Sequence, residues 1–120
     1  MIDQSLREYP LEACGLFGGN NEHATNIYPA RNDAASARLY TLNPTDYLRS
    51  DRAAEASGSQ IIGVYHSHTH SEAYPSQTDL IQAPDPDWHY AIVSLKRKYP
   101  VIRSFRIIAG KIAEEVVVEL

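Results

Sequence analysis

Only one cysteine, Cys14, occurs in the 120 residues. A lone thiol cannot close an internal disulfide, so oxidising compartments are neither required nor signalled. Long hydrophobic runs are missing: none approaches the roughly 18 apolar residues that a membrane span needs. Asp3, Arg7 and Glu8 interrupt the N-terminus, which therefore does not read as a secretory signal. Excess positive charge is missing as well. Eleven Lys/Arg against 15 Asp/Glu give a net charge of −4, and no basic run exceeds Lys96-Arg97-Lys98. That pattern lacks the electrostatic footprint of a nucleic-acid binder. There is no internal repeat, low-complexity tract or linker. The expectation is one domain over residues 1–120, with a single core, no membrane or nucleic-acid partner, and a cytoplasmic location.

Local patterns place the elements. Met1 to Glu8 reads as a short helix stopped by Pro10. Cys14 to Gly19 is an apolar run ended by glycines, followed by the polar Asn20-Asn21-Glu22 turn, as in a strand entering a hairpin. His23 to Ala30 and Ala37 to Leu42 are further strand candidates. Asn43-Pro44 is a helix start, with Asn as N-cap and Pro in the first turn, and Gly58 ends that helix. Ile61 to His66 is a strand. Pro84-Asp85-Pro86-Asp87 forms a rigid turn before Trp88. Tyr90 to Leu95 alternates, and Val101 to Ile108 and Ile112 to Val118 flank a tight Ala109-Gly110 turn. This order predicts an α/β or α+β domain with a largely antiparallel sheet and helices packed on it.

The residues that carry chemistry cluster in one stretch: His66-Ser67-His68, then Ser76, then Asp79. Residues i and i+2 of a strand share a face, so His66 and His68 can aim two nitrogens at one ion. Two imidazoles and a carboxylate are the ligand set of a catalytic zinc site with one position left for water, and such a site points to hydrolysis. Ser76 to Asp79 also reads as a helix N-terminus with a capping-box-like partner. Both readings hold together if capping and ligation use different oxygens of Asp79. Random placement of these residue types produces the four-residue pattern in roughly one chain in a thousand, which favours a site over coincidence. Bound zinc lowers the pKa of its water to about 7 and polarises a carbonyl. A proton carrier is still needed, and Glu12, Glu72, His70 and His89 all remain open from spacing alone.

With Glu12 far upstream, the stretch resembles the E…H-S/T-H-x7-S-x2-D signature of JAMM (JAB/MPN metalloenzyme) isopeptidases. Pro10-Leu11-Glu12-Ala13-Cys14-Gly15-Leu16 is similar to the family's P-x-E-x-C-G opening. Val64 to Thr69, Ala73 to Ser76, and Trp88 to Ser94 resemble its short bacterial Mec/QbsD-type members. The resemblance covers nearly the whole chain. It implies His66, His68 and Asp79 as ligands to one zinc ion, Glu12 as general base toward zinc-bound water, and Ser76 as oxyanion donor. It also implies a cytidine-deaminase-like fold, with a curved mixed sheet between helices, and a start shorter than is usual in relatives. An edge uncovered by that short start would suit a homodimer.

The activity so implied is zinc-dependent hydrolysis of an amide at the C-terminus of a ubiquitin-like or sulfur-carrier protein, whose extended tail would be the partner. Removal of a C-terminal amino acid, cysteine among the candidates, from a Gly-Gly-ended carrier fits the Mec/QbsD-type resemblance. A non-catalytic MPN-like scaffold is the rival class, disfavoured because every ligand position is kept. A zinc deaminase is disfavoured because H-x-E…P-C-x-x-C is absent. His70 is expected to face solvent or support the site, and His89 to support the site or pack in its strand. Cys14 is expected to be a buried small hydrophobe. Tyr74 and Trp88 read as core or groove aromatics.

Overall fold

In the computed structural model, residues 1–20 and 22–118 are described. The element order is α1 (Ile2–Glu8), β1 (Cys14–Asn20), β2 (His23–Ala30), α2 (Pro44–Ala56), β3 (Gln60–His68), α3 (Gln77–Ile81), β4 (His89–Ser94), β5 (Val101–Ile108) and β6 (Lys111–Glu115). The strands form one sheet in the order β2-β1-β3-β4-β5-β6. Only β3 and β4 run parallel, joined by the crossover that carries α3. The other four pairings are antiparallel. This is the mixed, largely antiparallel sheet flanked by helices that the sequence predicts.

Two ring-on-glycine contacts lock β1 to β3. Gly15 pairs with Tyr65 and Phe17 with Gly63. At each pair the ring occupies the space that a glycine Cβ would fill, so each glycine lets an aromatic lie flat on the neighbouring strand. Tyr65 is fully buried, and its hydroxyl donates to Gln4 Oε1 of α1. Gln4 Nε2 in turn donates to the Cys14 carbonyl at 2.9 Å. These bonds dock α1 on one face of the sheet. On the other face Cys14, Leu16, Val64, Tyr90 and Ile107 pack with Ala54 of α2. From Val64 onward β3 alternates, so His66 and His68 share the α2 face with Val64, and Tyr65 and Ser67 face α1.

The start of α2 follows the sequence. Asn43 accepts the Asp46 N–H at 3.0 Å, and Pro44 follows the cap. Asp46 accepts from both the Arg31 backbone N–H at 2.8 Å and Arg31 Nε at 2.9 Å, tying the helix to the end of β2. The β5–β6 turn places Ala109 and Gly110 at φ 51° and 76°, the positive values that a tight hairpin turn needs.

Three expectations need correction. Ala37 to Leu42 is not a strand. The segment has one isolated bridge, Asn32 to Leu42, because side chains take its backbone donors. Asn32 Oδ1 accepts from Ala34 and Thr41, and Ser36 Oγ accepts from Arg38 and Leu39. The last strand stops at Glu115, and Val116 to Val118 are exposed. β3 continues past His66 to His68. Asn21 of the first hairpin turn lies outside the described residues. No helix is long and apolar enough to cross a membrane.

Candidate metal centre and active site

β3, central in the sheet and paired on both sides, supplies His66 and His68. Both are 4% exposed. The crossover then brings Asp79 over them on the first turn of α3. Here Ser76 Oγ accepts the Asp79 N–H at 3.1 Å, and Asp79 Oδ2 accepts the Ser76 N–H at 2.8 Å. The capping box predicted from the sequence is therefore present. The same oxygen also faces the histidines, at 3.2 Å from His66 Nε2 and 3.0 Å from His68 Nε2. Capping and imidazole contact thus use one oxygen of Asp79, not two. The five-residue helix is short enough for its N-terminus to sit directly against the strand end.

The chemistry of this donor set calls for a cation. His68 Nδ1 lies 2.8 Å from the Glu72 carbonyl. A carbonyl only accepts, so Nδ1 carries the hydrogen, and the neutral ring leaves a bare lone pair on Nε2. That lone pair points at Asp79 Oδ2 and at His66 Nε2, 3.1 Å away. The bare lone pair of His68 Nε2 and the Asp79 oxygen, 3.0 Å apart with His66 Nε2 beside both, repel each other unless a proton or a cation lies between them. A divalent ion satisfies all three, and two imidazoles with one carboxylate suit a borderline metal.

Without a metal, a proton serves in its place. Burial opposes charge on His68, but the bonds to Asp79 and the Glu72 carbonyl outweigh it and raise its pKa. Burial holds the pKa of His66 down. Burial alone would raise that of Asp79, yet the bonds from His66 and His68 hold it well below the usual carboxylate range.

Glu12 immediately precedes Ala13 and β1, and it is 4% exposed. Burial pushes its pKa up to about 7, with His68 opposing the rise and Asp79 adding to it. The pairing of Cys14 with His66 brings the segment that carries Glu12 alongside the strand of the two histidines. Among the described residues no donor hydrogen-bonds the Glu12 carboxylate. Ser76 Oγ uses a lone pair on the Asp79 amide, which leaves its own hydroxyl hydrogen uncommitted. The structure therefore brings His66, His68 and Asp79 together, with Ser76 bonded to Asp79 and a buried carboxyl group at Glu12.

The remaining candidates fall elsewhere. His70 is exposed and stacks on Tyr9. Glu72 pairs with Arg97 at 2.9 Å on the surface and reaches the site only through its backbone carbonyl. His89 lies on the opposite face of the sheet, bonded to Glu115 at 2.8 Å, so it does not support the site. Cys14 is buried, and burial pushes its thiol up to about 12, which makes it inert near neutral pH. Tyr74 is exposed and packs edge-on to Phe105.

Three neighbours are given no role by the motif. Tyr40 stacks on His66 with centroids 4.3 Å apart. Ser67 Oγ accepts the Ala13 N–H at 2.8 Å, fastening the residue after Glu12 to the strand of the histidines. Asn32 Nδ2 donates to the Glu12 carbonyl at 2.9 Å. Beyond Tyr40 opens a cavity of about 390 Å³ lined by Leu42, Tyr47, Val64 and Trp88 among others. Trp88 stacks there on Tyr47 at 5.9 Å.

Sheet order, capping box and converging donors define a metallopeptidase of the JAMM type. Residues 1–108 match the family model for prokaryotic homologs of the JAB domain, and the chain belongs to that family. It is 37% identical over 118 residues to the CysO-cysteine peptidase of Mycobacterium tuberculosis, covering 96% of this chain and 81% of the relative. It is 36% identical over 88 residues to a desampylase of Haloferax volcanii, covering 71% of this chain and 63% of that protein. A solved structure from Desulfitobacterium hafniense superimposes with a TM-score of 0.89 at 31% identity, covering 98% of this chain and 84% of that one.

Proposed function

We propose that this chain is a zinc peptidase, with one ion per chain, that hydrolyses the amide at the C-terminus of a ubiquitin-like or sulfur-carrier protein. The observation that carries the reading is the convergence of His66 Nε2, His68 Nε2 and Asp79 Oδ2 within 3.2 Å of one another. Likeness to a CysO-cysteine peptidase supports removal of a C-terminal amino acid, cysteine first among the candidates. In this reading His66, His68 and Asp79 hold the zinc. When bound, the ion supplies a Lewis acid that acidifies water and polarises a carbonyl.

The chain's own groups move the protons. Glu12, desolvated and free of hydrogen-bond donors, takes a proton from the attacking water as the C–O bond forms. It returns that proton to the amine nitrogen as the C–N bond breaks. A carboxyl group with a pKa near 7 suits both transfers at neutral pH. Ser76 donates its hydroxyl hydrogen to the oxygen that gains charge. The carrier tail, being extended, would lie across the Tyr40 side of the site toward the Trp88 cavity.

The test is to incubate zinc-loaded protein with carrier–amino-acid conjugates and follow cleavage by mass spectrometry. The expected result is release of the terminal residue, with Glu12→Gln retaining zinc and losing turnover by about 10²–10⁴-fold. His66→Ala binding zinc at full stoichiometry and affinity would overturn the ligand set. Normal cleavage by Glu12→Gln would overturn the base.

A further inference from the structure

The general base needs to be fixed in space while its carboxylate stays free of donors, since a donor would hold its lone pairs and lower its basicity. Glu12 has no such side-chain bond among the described residues, so its position is set through its backbone. Its N–H donates to the Ser36 carbonyl at 2.7 Å, and its own carbonyl accepts from Asn32 Nδ2 at 2.9 Å. Both peptide groups are held by the loop between β2 and α2. The loop is pinned to the far side of the site as well, where Thr69 Oγ1 donates to the Ala37 carbonyl at 2.9 Å.

Asn32 is the centre of that loop. Its side-chain amide has two hydrogens and two acceptor lone pairs, and main-chain groups engage all four. Nδ2 donates to the carbonyls of Glu12 and of Leu39, at 2.9 and 3.0 Å. Oδ1 accepts the N–H of Ala34 and of Thr41, at 3.0 and 2.9 Å. Leu39 and Thr41 flank Tyr40, whose ring lies against His66. One amide therefore ties the segment carrying the base to the segment carrying the ring beside the metal-binding histidines.

We propose that Asn32 is a positioning residue for catalysis: through its two N–H bonds it holds Glu12 in register with the ring of Tyr40 over His66. The inference rests on the hydrolytic reading above, in which Glu12 is the base. It assigns Asn32 no contact with substrate or metal. A reactive group displaced by about 1 Å can lose roughly a hundredfold in rate, so a polar side chain outside the signature has an expected kinetic effect.

The two halves of the amide can be separated experimentally. Asn32→Asp keeps two acceptors for Ala34 and Thr41 and loses both donors, so it releases the Glu12 carbonyl while keeping the acceptors that shape the loop. Asn32→Ala loses all four bonds. Zinc-loaded wild type and both variants are assayed on a carrier–amino-acid conjugate. Metal content and hydrogen exchange at the Ala34 and Thr41 amides are measured alongside.

Asn32→Asp is expected to lose about tenfold to a hundredfold in kcat, with KM within twofold, one zinc per chain and both amides still protected. Asn32→Ala should show the same kcat loss, with those amides deprotected. Wild-type kcat in either variant overturns the assignment. So does a loss in Asn32→Asp that tracks lost zinc or lost amide protection, because Asn32 would then act only as loop structure. Failure of the wild type to cleave any conjugate falls on the hydrolytic reading instead, and is distinguished by the wild-type arm alone.

Discussion

Replacing Glu12 by Gln should shift the stability of the metal-free protein, relative to the wild type, increasingly toward the variant as pH rises. Glu12 is 4% exposed and has no donor on its carboxylate among the described residues, so ionising it in the fold forfeits hydration with little in return. Its pKa rises from 4.5 to about 7 for that reason first; His68 pulls it back and Asp79 pushes it further.

The sign follows from proton binding. Below pH 4.5 the carboxyl is neutral in both folded and unfolded chains, and Glu12 costs nothing through ionisation. Between 4.5 and 7 the unfolded chain releases its proton while the folded chain keeps it, so stability falls as pH rises. Above 7 the loss is complete, and at about 1.4 kcal/mol per pH unit it amounts to about 3 kcal/mol. Gln cannot ionise, so it escapes this loss, and any cost of burying its amide is a constant offset. Urea unfolding of chelator-treated wild type and Glu12→Gln from pH 4 to 8.5 should therefore give a stability difference that shifts by about 3 kcal/mol toward the variant. A difference that stays flat across the range would refute the claim that Glu12 is a desolvated acid. The same substitution is expected to lower turnover about 10²–10⁴-fold, so the group proposed as the base would also destabilise the empty fold.

Three further outcomes follow from single contacts. Ser67→Ala leaves the buried Ala13 N–H without its acceptor and should cost about 1–3 kcal/mol in urea unfolding; an unchanged midpoint would mean that this bond holds nothing. Ser76→Ala should reduce turnover about 10²–10³-fold with zinc content unchanged, while the lost cap costs only about 1 kcal/mol of stability; equal turnover would remove Ser76 from the mechanism. Asp46 is held down to about 2 by the Arg31 side chain and then by the Arg31 backbone N–H. It therefore contributes stability that is full above pH 3.8 and lost as pH falls through 2. Arg31→Ala should reduce that contribution and shift acid unfolding upward, and coincident acid curves would rule Arg31 out as its source.

The metal cluster was legible because its parts are local. His66 and His68 obey strand periodicity, and Ser76 and Asp79 obey helix-capping spacing, so pattern alone places three donors near one another. Glu12 needed the family resemblance, since its approach depends on β1 pairing with β3 across the Cys14–His66 register. The fold was legible where alternation or caps decide the element, as at Asn43-Pro44 and Ala109-Gly110. It was misread at Ala37 to Leu42, where alternating residues resemble a strand but Asn32 and Ser36 take the backbone donors that a strand would pair. Asn-Asp at 32–33 is a turn signature and was the available hint. Tyr40 offered none, and the S/T position that Ser67 fills in the signature does not reveal its bond, because their partners His66 and Ala13 are distant in sequence.

Asp79 shows why capping and metal binding reinforce each other here. The carboxylate would be an unreliable ligand if it were free to rotate, and a five-residue helix lacks the length to hold itself in place. The Ser76 N–H donates to Oδ2, the oxygen that also meets both imidazoles, and the Ser76 hydroxyl accepts the Asp79 amide. A second bond thus orients Asp79, and that bond comes from the residue proposed above as the oxyanion donor. The Ser76 N–H favours the ionised form of Asp79, and the bare lone pair of His68 beside that charge calls for an ion or for a proton on His68. The raised pKa of His68 in the metal-free fold is the same requirement expressed with a proton. Metal binding should therefore displace that proton and weaken as pH falls, independently of any role of Glu12 in turnover.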